Sequence, residues 1–150
     1  MITTFLGNPI PADYLQFIEN QPSAENRQLW FFNNENHSNQ EIQLYTKSGL
    51  LSNSYDKKSY WYEWISKGDY DLSKIKPTDP NSGITAEEVK KGFVIADTYD
   101  GLIFINLRDG SVWSFYEDDE DWENGNVYWL CEKYADSFSE FQGRLSPKPL

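Results

Sequence analysis

Two Asp-Gly pairs divide residues 93 to 116 into three apolar runs, Phe93–Thr98, Leu102–Leu107 and Ser111–Tyr116. The breaks between them are Tyr99-Asp100-Gly101 and Arg108-Asp109-Gly110. Asp-Gly tolerates the positive φ that tight hairpin turns demand, so the spacing predicts a three-stranded antiparallel meander. A helix anywhere in 102–116 would contradict it. Period-2 alternation puts Trp113 inward if Val112 and Ser114 face out, although the Val-Trp-Ser-Phe order leaves the choice of face open.

Shorter signals flank this segment. Tyr14, Leu15, Phe17 and Ile18 follow helical spacing behind Pro11, which suits a first helical turn, and Pro22 stops the element. A helix over about 11–20 follows. Gln28–Asn33 and Glu41–Thr46 read as strands, the second alternating Ile42 and Leu44 against Gln43 and Tyr45. The polar stretch between them, Asn33–Gln40, reads as the loop of a hairpin. Tyr60, Trp61, Trp64 and Ile65 suggest a short amphipathic helix, and Gly68–Gly83 reads as loop. Thr85 with Glu88 is a capping-box pattern, and Lys90, Lys91 and Gly92 supply C-terminal signals, so a helix is expected at about 86–91. Asn126–Cys131 is a fourth strand. Ser137 with Glu140 opens a helix through about Leu145, with Phe138 and Phe141 on its inner face, and Pro147 and Pro149 mark a frayed tail.

The expected class is therefore α+β, a mainly antiparallel β-sheet with flanking helices. At 150 residues the chain is one domain, residues 1–150, long enough to bury its own core without staples. Aromatic residues make up 17% of the chain, against 39% hydrophobic overall, so rings must supply much of that core. Thirteen Lys and Arg against 24 Asp and Glu give a net charge of −11. Such a chain does not grip nucleic acid or an anionic membrane through bulk charge, and it attracts a basic protein partner. No run approaches the ~18 apolar residues of a membrane span, and the first cation is Arg27, which leaves no basic region for a secretory leader. A single cysteine, Cys131, excludes an internal disulfide and suits a reducing compartment, so a cytoplasmic location is the expectation.

Catalytic and metal motifs are sparse. His37 is the only histidine and lies in a polar stretch, where a surface role is the plain reading. One Cys and one His do not make the usual zinc ligand set, and neither G-x-x-x-x-G-K-[ST] nor G-x-G-x-x-G occurs. No metal, no cofactor and no enzymatic activity are expected. Carboxylate pairs abound, but without a fixed spacing they argue only weakly for a hydrolase. Tyr60, Trp61, Tyr62 and Trp64 read either as a sugar-stacking or protein-binding face or as core filler; the low Leu and Val content favours core for Trp61 and Trp64, with Tyr60 and Tyr62 free to stay exposed.

The segment GLIFINLRDGSVWSFYEDDE, followed by ADSFSEFQ, resembles the SMI1/KNR4 family of the SUKH superfamily. The strand at 102–107, the LRDG turn, the aromatic strand with Trp113, the acidic run and Ala135-Asp136-Ser137-Phe138 with Phe141 carry the likeness. Pro11-Ala12-Asp13-Tyr14-Leu15-Phe17-Ile18 resembles the helix that opens those domains. The resemblance implies a SUKH-like α+β domain. It also implies an immunity-type protein that binds and neutralises a cognate polymorphic toxin, often a nuclease. A regulatory protein-interaction module of the same kind is the alternative, and a small carboxylate-dependent hydrolase a second one.

Glu117, Asp118, Asp119, Glu120, Asp121 and Glu123 surround Trp122. A charge run of this kind is either a solvated surface loop or a docking site for a cationic partner with Trp122 as its anchor. It lacks the D-x-[DN]-x-[DN]-G spacing of a calcium loop. The expected partner is a basic protein toxin, met by a monomer or weak homodimer.

Overall fold

The computed structural model describes residues 3–20, 27–33, 37–45, 75–77, 81–99, 101–118, 122–124 and 128–150, with backbone alone for Arg27, Ile75–Pro77, Glu117, Asp118, Trp122, Tyr128 and Trp129. Elements run β1 (Thr4–Phe5), β2 (Asn8–Pro9), α1 (Ala12–Glu19), β3 (Arg27–Asn33), β4 (Ser38–Leu44) and β5 (Ile75–Pro77). Then come α2 (Ala86–Lys90), β6 (Phe93–Asp97), β7 (Gly101–Ile105), β8 (Val112–Asp118), a 3₁₀ turn at Trp122–Asn124, β9 (Tyr128–Ala135), α3 (Phe138–Gly143) and β10 (Leu145–Ser146). One sheet orders its strands β10-β3-β4-β6-β7-β8-β9-β5. Every neighbouring pair is antiparallel except β5–β9. The fold is α+β, and the predicted meander is its centre.

The two Asp-Gly breaks work for different reasons. Gly110 has φ +82, and its N–H reaches Asn106 O at 2.7 Å, so this turn uses the freedom that only glycine has there. Gly101 has no positive φ. A Cβ at Gly101 would fall 1.8 Å from the backbone oxygen of Phe115, so what glycine supplies there is room for β8 to approach β7. Gly92 does likewise: it is not a left-handed helix cap, and a Cβ would sit 2.4 Å from the Phe104 ring.

The α1 helix begins after Pro11, which stands as N-cap rather than inside the first turn, and it buries Tyr14, Phe17 and Ile18. Thr85 and Ser137 cap α2 and α3 by accepting the N–H of Glu88 and Glu140, as their spacing predicts. The return arms differ. Glu140 accepts the N–H of Asp136, whereas Glu88 turns to Asn106 and Arg108 and ties α2 to the β7–β8 turn.

Cross-strand partners share a face, which sorts the core into two rows. Phe93, Ile105 and Val112 line one row, and Val94, Phe104 and Trp113 the other. All six are buried, as is Ser114. The choice of face that the Val-Trp-Ser-Phe order leaves open does not separate inside from outside, because Val112, Trp113 and Ser114 are all buried and the central strands are shielded on both faces. On the helix-covered face Phe138 meets Tyr14 and Phe17 at 5.0 Å each, and Tyr14 meets Phe93 at 5.7 Å. Phe31 stacks on Tyr134 at 4.4 Å and on Phe141 at 4.9 Å. Rings do supply the core.

Four boundaries depart from expectation. Ser38–Gln40 belong to β4, so the loop read over Asn33–Gln40 is much tighter, with His37 at φ 53. Ile75–Pro77, read as loop, adds parallel to β9, and Pro77 is tolerated because edge strands need not donate on both sides. The fourth strand runs on to Ala135. The helix stops at Gly143, and the tail read as frayed instead pairs Leu145 with Phe31 and Ser146 with Trp30. Pro22, Thr46 and the proposed helix around Tyr60, Trp61, Trp64 and Ile65 lie outside the described residues.

Candidate functional site

Strand register gathers one end of the sheet. Gly101 pairs with Tyr116, and β8 continues two residues further, with Glu117 opposite Trp129 and Asp118 opposite Tyr128. The β6–β7 turn with Tyr99 therefore sits beside the point where the acidic run leaves the sheet. Tyr99 is 100% exposed. Gln43 pairs with Asp97 and Leu44 with Ala96, and Tyr45, whose N–H bonds Ile95 O, sends its hydroxyl back toward Asp97.

The acidic run is thus not a simple loop. Glu117 and Asp118 are strand residues, Trp122–Asn124 form a 3₁₀ turn, and Glu123 and Asn124 are exposed. Asp119, Glu120 and Asp121 lie outside the described residues, as does the Trp122 side chain. Glu117 and Asp118 are held in the β8–β9 ladder, and the rest of the run falls in the span between Asp118 and Tyr128, which that pairing closes. The sequence reading missed Tyr99 as a companion to this run. The signal was present, since a tyrosine ahead of Asp-Gly at a hairpin tip has no interior to enter.

Asp97 lies just inside that end. Its Oδ1 accepts the Tyr45 hydroxyl at 2.6 Å. Burial pushes the Asp97 carboxyl above the usual carboxylate range, and the Tyr45 hydrogen bond offsets this only in part. A raised carboxyl favours the protonated folded state, so its contribution is greatest at low pH and is lost as pH rises through the folded pKa. Asp97→Asn keeps an oxygen acceptor for Tyr45 and removes the buried charge. It is expected to raise the melting temperature at pH 7.5 and to match the wild type at about pH 3.5, where both folded and unfolded carboxyls are largely protonated. A variant less stable than wild type at pH 7.5 would refute this.

Asp109 shows the opposite balance. Burial pushes its carboxyl up, but the Ser111 hydroxyl and N–H, with Arg108 and Lys133, outweigh that and hold it below the usual range. Ser111 Oγ in turn accepts the Trp113 indole N–H at 2.7 Å. The LRDG turn is therefore a latch: Glu88, Asn106, Arg108, Asp109, Ser111 and Trp113 are linked in one chain of hydrogen bonds and ion pairs.

Other candidates carry less chemistry. An open polar cleft of about 250 Å³ between α1 and α3 is lined by Asp13, Gln16, Phe17, Asn20, Ser139 and Gln142. Its carboxylate, Asp13, is already engaged by the Tyr14 N–H and by Ser139 N and Oγ. Burial pushes the Cys131 thiol up to about 12, which leaves it without thiolate character at neutral pH. His37 is exposed, with its ring 6.3 Å from that of Phe32. Among the described residues no three His, Cys, Asp or Glu side chains group as metal ligands, and no helix is long and apolar enough to cross a membrane.

Comparison of the chain with known protein families, with curated proteins and with solved structures found no match.

Proposed function

We propose that this chain is a cytoplasmic binding protein of the SMI1/KNR4 kind, which neutralises a basic protein toxin by covering its active face. The observation that carries this reading is the acidic segment 117–123, which starts in β8 at Glu117 and Asp118 and lies in the span that the β8–β9 pairing closes, in a chain of net charge −11. A span closed in this way loses less conformational freedom on docking than a free loop, and so wastes less binding energy. The exposed Tyr99 alongside it supplies an aromatic surface of the type that cations and interface cores favour. The α+β sheet and the aromatic core agree with the class of domain that the resemblance implies. Binding of this type asks no chemistry of the chain.

The test uses a basic toxin domain encoded beside the gene or recovered with the protein from its native host. Its binding is followed by surface plasmon resonance. Asp118→Asn combined with Asp119→Asn is expected to slow association, and added salt to slow it further, as the Debye length falls from ~10 Å at 0.1 M to ~3 Å at 1 M. Trp122→Ala is expected to speed dissociation and to cost about 2 kcal/mol, roughly 30-fold in Kd. Unchanged affinity in both variants at low salt would place the interface elsewhere.

A further inference from the structure

The chain binds a piece of itself on the far side of the sheet. After β10 pairs with β3, residues 147–150 leave the edge, and Leu150 is held by the side chain of Asn39. Leu150 N–H donates to Asn39 Oδ1 at 2.9 Å, and Asn39 Nδ2 donates to Leu150 O at 3.0 Å. A carboxamide presents one acceptor and one donor in a plane, which matches the N–H and C=O of a single extended residue. The clamp reads backbone alone, since Leu150 is 77% exposed.

Register fixes which face the tail crosses. Asn39 lies opposite Phe32, and Glu41 opposite Trp30. That is the face away from Phe31, which is buried against Tyr134 and Phe141. From Ser146 outside β3 to β4 is two strand spacings, about 10 Å. Four residues reach about 14 Å at most, so the tail spans β3 directly over the row that carries Trp30 and Phe32. Trp30 and Phe32 are half-buried, whereas Pro147, Lys148, Pro149 and Leu150 are all exposed. Pro147 and Pro149 cannot donate to a strand edge, and Lys148 brings a cation to a face whose exposed acid is Glu41.

We propose that the outer face of the β3–β4 hairpin is a docking strip for an extended, proline-containing, cationic peptide segment, which residues 147–150 occupy in cis. Asn39 clamps the backbone of the docked segment, Trp30 and Phe32 offer the aromatic surface that proline-bearing extended chains favour, and Glu41, whose Oε1 accepts from Gln28 Nε2 at 2.7 Å, is the exposed acid on that face. The tail is then a built-in competitor, present at the high effective concentration of a short tether. This strip is separate from the acidic segment at the β8–β9 end, and neither reading depends on the other.

The probe is the peptide Ser-Pro-Lys-Pro-Leu with blocked ends, titrated into the full-length protein and followed by NMR. Shifts are expected at the Trp30 indole, Phe32 and Asn39, together with release of residues 147–150. Leu150→Pro removes the N–H that the clamp accepts while leaving the strip intact. It is expected to tighten peptide binding about three- to tenfold, the range of one hydrogen bond. Asn39→Ala removes both hydrogen bonds of the clamp, from the tail and from the peptide alike, and binding is expected to be lost. Asn39→Leu, which keeps the size and loses both donor and acceptor, repeats that result if the alanine variant melts early. The proposal is overturned if the Leu150→Pro protein gives no response at the strip with millimolar peptide. Equal affinity in the wild-type, Leu150→Pro and Asn39→Leu proteins would overturn it as well.

Discussion

Gly101→Ala is expected to destabilise the protein by about 3 kcal/mol or more, at or above the upper end of the overpacking range. The added methyl would fall 1.8 Å from Phe115 O and 2.7 Å from Tyr116 Cα, and both obstacles are backbone. A flexible side chain could swing aside, but a ladder of paired strands cannot. Relief requires β7 and β8 to part at the very turn where Thr98 N–H bonds Gly101 O at 3.0 Å. In a chain of this size about 3 kcal/mol lowers the melting temperature by roughly 6–12 °C. The matched control is Gly143→Ala, where nothing lies within 4 Å and the residue is helical, so the change is neutral or gains up to about 1 kcal/mol. Thermal or urea denaturation of both variants checks the pair. A Gly101→Ala protein as stable as the Gly143→Ala protein would mean that β7 and β8 are not paired in this register.

The second large effect concerns Phe138, a fully buried residue that joins α1, α3 and the sheet. Its ring lies 5.0 Å from Tyr14, 5.0 Å from Phe17 and 6.0 Å from Phe141. Phe138→Ala removes the hub of this cluster and leaves a cavity bounded by rigid rings, which relax little. A loss of about 3–5 kcal/mol is expected. Set against a typical total of roughly 5–15 kcal/mol, this threatens the fold itself. Phe138→Leu refills most of the space and is expected to recover more than half of the loss. The urea midpoint is the quantity to follow, with the slope unchanged. A loss below about 1 kcal/mol would show that α1 and α3 do not pack through this residue.

The sequence was most readable where local signals and burial agreed. Asp-Gly pairs between apolar runs announced β6–β8, and Thr85 and Ser137 announced two helix starts by their hydroxyls alone. It was least readable where geometry comes from distant pairing. Ile75–Pro77 becomes a strand only because β9 lies beside it, and Leu145–Ser146 only because β3 does. Nothing within three residues of either segment encodes that. Alternation also misleads in the centre of the sheet, where burial on both faces erases the polar half of the pattern at Val112–Phe115. Of the acidic segment, the charge was legible but the mounting was not. That Glu117 and Asp118 belong to β8 depends on their partners Trp129 and Tyr128, distant in sequence across the span between the two strands.

The order of strands also sets a timetable. Pairs β6–β7 and β7–β8 join residues close in sequence and lie at the middle of the sheet, whereas β10–β3 and β5–β9 join distant residues and lie at its two margins. Closing a long loop costs chain entropy before any contact rewards it, so near pairs form first and far pairs last. Assembly accordingly proceeds outward from the meander, and the margins are the last to zip and the first to open. Until segment 144–146 arrives, the outer edge of β3 is an unpaired template for another chain. The interval between forming β3 and sealing it is when this protein is most exposed to aggregation.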